Sequence, residues 1–229
     1  MSTLRCVTWN LEHGAKGLAA VAQVLRALSP AVVFLQEVDR ATRRCGGVDQ
    51  AASLAHELGL TATFAEAFAF DGGSYGLALL TPGPLSEVTT TRLPHPAPRQ
   101  EDGHGEPRIL LSGEWNGIRF ACTHLGLTPD ERVEQARALL EALHPFEPVI
   151  LGGDLNEGAQ GAAVGLLGSR LSDAFQVAGG AETRTSPSDR PATRIDFVLA
   201  SARAPEPLRA FVGPAGASDH RPVVVDFAS

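Results

Sequence analysis

Val149-Ile150-Leu151-Gly152-Gly153-Asp154-Leu155-Asn156 places three apolar residues, two glycines and an Asp-x-Asn pair within eight positions. The apolar run is too short for a helix and lies between Pro148 and the glycines, so it reads as a buried strand. Its end carries a carboxylate and an amide, side chains that a strand serving only a core does not need. The same ending recurs along the chain. Trp9-Asn10 closes the run Leu4 to Trp9, Gln36-Glu37 falls near the end of Ala31 to Val38, and Thr123-His124 follows Ile118 to Cys122. Ser218-Asp219-His220 precedes Val223 to Phe227, and Arg194-Ile195-Asp196 opens the run Ile195 to Leu199. Antiparallel neighbours bring opposite strand ends to one edge, so all of these polar groups can share one mouth.

Further apolar runs at Thr61 to Phe70, Tyr75 to Leu80 and Ile109 to Leu111 also read as strands. Helical spacing marks Lys16 to Leu28, Gln50 to Leu58 and Pro129 to Leu143, the last with Val133, Ala136, Leu140 and Leu143 on one face. Thr128, Pro129 and Glu131 suggest a capping box at the start of that third helix, and Pro145 and Pro148 end it. Many strands with few helices, neither strictly alternating nor all-β, imply a four-layer α/β sandwich: two packed, mostly antiparallel mixed sheets flanked by helices. Residues 1–229 are expected to form a single domain. Pro94 to Pro107, which includes His95 and His104, and Gly179 to Pro191 read as loops.

The formal charge of −7 repels polyanions at long range, so non-specific duplex binding is disfavoured. Lys16 is the sole lysine, and arginine supplies every other basic side chain. Cys6, Cys45 and Cys122 fit neither a disulfide framework nor a structural zinc site, and reduced thiols are expected. With no signal-like or membrane-spanning stretch, the expectation is a soluble, cytoplasmic protein without stable membrane insertion.

Magnesium takes one or two carboxylates together with waters and substrate oxygens, and Glu37, Asp154, Asp196 and Asp219 supply groups of that kind. Gly152 and Gly153 would let backbone and substrate approach closely, and Asn156 has an amide to offer a phosphoryl oxygen. Each residue alone has a duller reading. Asn10 closes turns, Glu37 sits in solvent, Asp154 with Asn156 forms an Asx turn, and Asp196 with His220 makes a structural ion pair.

Taken together, Thr8-Trp9-Asn10-Leu11, Leu35-Gln36-Glu37-Val38-Asp39, Thr123-His124-Leu125, Gly152-Gly153-Asp154-Leu155-Asn156, Arg194-Ile195-Asp196-Phe197-Val198 and Ser218-Asp219-His220-Arg221-Pro222 resemble, in order, the motif series of the endonuclease/exonuclease/phosphatase superfamily. That resemblance implies a divalent-metal-dependent phosphoesterase using Mg²⁺ or Mn²⁺. It makes Glu37 the principal metal ligand, with Asn10 beside it and Asp219 in support. Asp154 and Asn156 would place the attacking water, His220 held by Asp196 would do base or transition-state work, and His124 would contact the phosphoryl group. Asn10, Arg108 and Arg43 are candidate substrate contacts; Arg40, Arg43 and Arg44 all follow Glu37, where a phosphate contact competes with the plainer role of a solvated loop. Gln50 opens its helix, and the sequence offers no mechanism for it.

The segment Asp173-Ala174-Phe175 with Thr183-Arg184-Thr185-Ser186-Pro187 departs from the AP endonuclease pattern, and one lysine with two tryptophans does not suit the inositol phosphatase branch. The chain most resembles the generic bacterial-type branch. The expected reaction is hydrolysis of a phosphodiester, in a small molecule, lipid headgroup or nucleic acid, by a monomer. A phosphomonoesterase using the same residues, or a binding module without chemistry, are the alternatives.

Overall fold

Along β2 (Val32–Arg40), Val32 and Phe34 face one way and Val33 and Leu35 the other, and all four are fully buried. A strand covered on both faces belongs to a sheet that lies between two other layers. The computed structural model describes residues 3–95, 105–181 and 184–229, and both sheets in it are covered in this way.

The remaining strands are β1 (Thr3–Asn10), β3 (Thr61–Phe70), β4 (Gly73–Thr81), β5 (Ser86–Arg92), β6 (Ile109–Trp115), β7 (Ile118–His124), β8 (Val149–Asp154), β9 (Leu171–Asp173), β10 (Asp196–Ser201), β11 (Pro207–Val212) and β12 (Val223–Ala228). The helices are α1 (Leu18–Leu28), α2 (Gln50–Leu58), α3 (Pro129–Leu143), α4 (Ala162–Leu167) and α5 (Ala174–Val177). One sheet has the order β11-β12-β1-β2-β4-β3 and the other β5-β6-β7-β8-β10-β9. Phe34 and Leu79 of the first meet Phe120, Ile150 and Val198 of the second between the sheets. α1 and α2 cover the first sheet with Val21, Leu25 and Leu54, and α3 and α4 cover the second with Leu139, Leu143 and Leu167. The expected four-layer sandwich is what these clusters build.

Among the described residues only β1 with β2 and β7 with β8 pair in parallel, each through a helical crossover, α1 or α3. Parallel strands end on the same side. Asn10 therefore lies opposite Gln36, and His124 opposite Asp154. β10 runs antiparallel to β8 and starts where β8 ends, so Asp196 pairs with Asp154.

Several expectations change. The first helix begins at Leu18 rather than Lys16, because Gly17 has φ +96° and Lys16 turns its Nζ to the Ser218 carbonyl at 2.9 Å. The capping box does not form: the Thr128 side chain makes no cap hydrogen bond, and Glu131 accepts instead from Gln135 Nε2 at 3.0 Å. The space left by the two glycines goes to packing rather than to substrate. A Cβ on Gly152 would lie 2.3 Å from Phe34, and one on Gly153 would lie 2.5 Å from the Thr123 carbonyl oxygen. β5, β9, β11, α4 and α5 add to the elements expected. Of the two loops, residues 96–104 and 182–183 lie outside the described residues, His104 among them.

Candidate active site

The mouth where β1, β2, β7 and β8 end holds a cavity of about 250 Å³, lined by Asn10, Glu37, Arg108, His124, Asp154, Asn156 and His220, together with Glu106, Glu131 and the 126–127 turn. Strand geometry delivers most of these side chains. A register shift between Leu35 and Val38 breaks the β2–β4 ladder, and Glu37 occupies the bulge with φ +55°. Asn156, also left-handed at φ +50°, donates its backbone N–H to Asp154 Oδ1 at 2.9 Å. The Asx turn is real, and it serves the site by setting the Asp154 carboxylate.

Asn10 is the hub. Its Oδ1 accepts the Glu12 backbone N–H at 3.0 Å, which fixes the amide orientation because a backbone N–H can only donate. Its Nδ2 then donates to Glu37 Oε1 at 2.9 Å and to Asp154 Oδ2 at 3.1 Å. Asn10 thus bridges two carboxylates through nitrogen, while its Oδ1, which accepts one N–H, keeps a second lone pair.

His220 is held on all sides. Trp9 Nε1 donates to its carbonyl at 2.9 Å, and its N–H donates to Ser218 Oγ at 3.1 Å, which itself donates to the Asn10 carbonyl at 2.7 Å. Its Nδ1 lies 2.9 Å from Asp196 Oδ2, and its Nε2 lies 3.7 Å from Asp154 Oδ2. Burial disfavours the imidazolium, but Asp196, Asp154 and Asp219 outweigh it and hold the group's pKa at about 10. His124 goes the other way: burial, then Arg108 and His220, push it well below its ordinary value. Its Nδ1 lies 3.1 Å from Arg108 Nη1, which can only donate, so Nδ1 accepts and Nε2 carries the hydrogen, 3.5 Å from Asp154 Oδ2 and 3.1 Å from Asn156 Nδ2.

The carboxylates are short of positive charge. Burial first, and Asp196 next, raise the Asp154 carboxyl well above its ordinary range against the pull of His220. Burial likewise raises Glu37, with Asp219 and Glu106 adding to it. Oxygen donors in this state fit a hard divalent cation, whose charge would relieve them. Ligand atoms of Asp154, Asp196 and His220 lie within 4.8 Å of one another, and the His220 Nδ1 among them is already taken up by Asp196 at 2.9 Å.

Three expected residues do not line the cavity: Asp196, which is buried behind His220, Arg43 and Asp219. Arg43 is 80% exposed and pairs with Asp71 at 3.1 Å, drawn away by the β3–β4 turn. Asp219 is half-buried on the loop before β12, its N–H given to Glu12 Oε2 at 3.1 Å, and it reaches the site through its charge. Glu106 and Glu131 are lining residues that sequence reasoning missed. Glu106 sits two positions before Arg108 and pairs with it at 3.2 Å, but no motif marks it.

A profile of the Endonuclease/Exonuclease/phosphatase family matches residues 7–220. The chain belongs to this family. Its members are hydrolases that act on phosphoesters, and they generally depend on a divalent metal. Among solved structures, an endonuclease/exonuclease/phosphatase from Beutenbergia cavernae DSM 12333 superposes with a TM-score of 0.74 at 23% identity, covering 99% of this chain and 71% of that one. A mannosyl-6-phosphatase from Bacteroides thetaiotaomicron VPI-5482 gives 0.77 at 19%, covering 99% and 100%. Truncated TDP2 from Caenorhabditis elegans gives 0.71 at 19%, covering 99% and 98%. At such identities the likeness is one of fold. No curated protein matches the chain at a significant level.

Proposed function

We propose that this family member is a phosphodiesterase dependent on Mg²⁺ or Mn²⁺, in which Asp154 takes the proton of the attacking water. The observation that carries the reading is the convergence of Asn10, Glu37, His124, Asp154, Asn156 and His220 on one cavity. When bound, the metal neutralises phosphoryl charge and makes water more acidic. Glu37 would hold it, with the Asp219 charge behind it.

Asp154 lines the cavity with Oδ1 held by the Asn156 N–H and Oδ2 by the Asn10 amide, while the His220 Nδ1 is engaged by Asp196, and this placement favours Asp154 as the base. His220, oriented by Asp196, then serves as a fixed cation toward charge developing on the phosphoryl oxygens. Arg108 is buried in the cavity lining, its Nη1 between Glu106 and His124, and it would set a fixed positive charge beside the phosphoryl group. Asn156 and the neutral His124 complete the polar lining.

A net charge of −7 favours a small-molecule or headgroup diester over a nucleic acid duplex. The test is hydrolysis of bis(p-nitrophenyl) phosphate, p-nitrophenyl phosphate and nucleic acid with Mg²⁺, Mn²⁺ or EDTA. Metal-dependent cleavage with the diester preferred supports the proposal. Faster cleavage of the monoester turns it into a phosphomonoesterase, and no turnover of any of the three sinks it.

A further inference from the structure

We propose that Gln50 is a positioning residue for the metal-binding side of the site, its buried amide clamping the turn that follows Asn10 to the strand that follows Glu37. The inference rests on the reading of Glu37 as a metal ligand.

Backbone strain marks both clamped segments. Glu12, His13 and Gly14 are left-handed in succession, at φ +49°, +47° and +72°, and Glu37 is left-handed within its bulge. Residues with side chains rarely adopt this region, and they keep it only where the surroundings over-determine it. Gln50 touches the two segments at once. Its Nε2 donates to the His13 carbonyl at 2.7 Å, and its Oε1 accepts the Asp39 N–H at 2.9 Å.

The clamp reaches the site by short paths. His13 follows Glu12, whose N–H sets the Asn10 amide, and that amide meets Glu37 and Asp154. Asp39 lies two residues beyond Glu37, and its carboxylate is itself tied down by Thr42 Oγ1 at 2.7 Å and by Arg44 at 2.6 and 2.8 Å. The fit is close: a Cβ on Gly14 would lie 2.9 Å from Gln50 Nε2. Gln50 is 3% exposed, so neither bond is readily replaced by water. It does not line the cavity that holds Glu37 and Asp154, and so it acts through them.

The clamp needs a donor on one side and an acceptor on the other, which an amide of this length supplies at any pH and a carboxyl only when protonated, so the variants are compared at alkaline pH. Gln50→Glu keeps size and acceptor but sets a carboxylate oxygen against the His13 carbonyl. Gln50→Ala removes both bonds. Leu54→Ala, in the same helix and fully buried in the outer cluster, removes core packing without touching the clamp.

Mn²⁺ binding to the metal-stripped full chain, measured by calorimetry alongside thermal melts, separates the roles. The Gln50 variants should bind Mn²⁺ roughly 10–100-fold more weakly, the scale seen when groups that orient metal ligands are removed. Leu54→Ala should melt earlier and bind Mn²⁺ like the parent protein. Parent-like affinity in folded Gln50→Glu or Gln50→Ala, or an equal loss in Leu54→Ala, overturns the proposal. Glu37→Gln should also bind weakly. If it does not, the metal-ligand reading falls and takes this proposal with it, whereas weak Glu37→Gln beside unaffected Gln50 variants overturns the clamp alone.

Discussion

Glu37 shows how a single side chain can oppose the fold that holds it. Burial, Asp219 and Glu106 raise the proton affinity of its carboxyl, against the Asn10 hydrogen bond and the Arg108 charge. A carboxyl raised on folding contributes stability in full below its unfolded value, and that contribution is lost as pH rises through the folded value. At neutral pH the ionised group therefore weighs against the metal-free fold. Glu37→Gln keeps an acceptor for Asn10 and carries no charge. In EDTA at about pH 8 it should melt at or above the parent protein, and the difference should vanish near about pH 4. Saturating Mn²⁺ should reverse the order, because only the parent gains a full ligand set. A variant that melts below the parent in EDTA at the higher pH contradicts this account. Asn10 marks the limit of sequence reasoning at this scale. Its place at a strand end was legible, but which end of its amide faces the carboxylates depends on the Glu12 N–H, a contact created by the left-handed turn.

Burial decides which elements a sequence announces. The central strands β2, β7 and β8 are apolar on both faces because helices and a second sheet cover them, and their composition shows it. β5, β9 and β11, which the apolar pattern missed, are all edge strands. Ser86–Arg92 is polar and mostly exposed, and a strand with a wet face and a free edge has little apolar periodicity to display. The capping box failed for a related reason, since Glu131 finds a better-placed partner in Gln135 and lines the cavity. The spacing between the sheets yields a prediction at this level. A methyl group on Gly152 meets the Phe34 ring, so Gly152→Ala should cost about 1–3 kcal/mol through overpacking. Adding Phe34→Leu should recover part of that loss in a thermal melt. Strictly additive losses would mean that the two residues do not share the contact.

The two sheets act as one body through the cluster between them, and two of the three cysteines report on it. Cys6 and Cys122 are fully buried there, and burial pushes both thiols up, Cys122 to about 12, so neither offers thiolate near neutral pH. Cys45 is partly exposed. A disulfide exchange reagent should therefore modify one thiol per native chain and all three after denaturation. Rapid reaction of a second native thiol would mean that the sheets part readily. By itself the sequence determined the sandwich, its central strands and the order of the polar strand ends, because apolar periodicity and local motifs are written along the chain. Only the tertiary structure decided that Asn10 bridges Glu37 and Asp154, that Arg43 turns away to Asp71, and that Gln50 joins two strained segments. Those relations link residues through hydrogen bonds whose direction depends on backbone conformation and packing between elements, which no local pattern records.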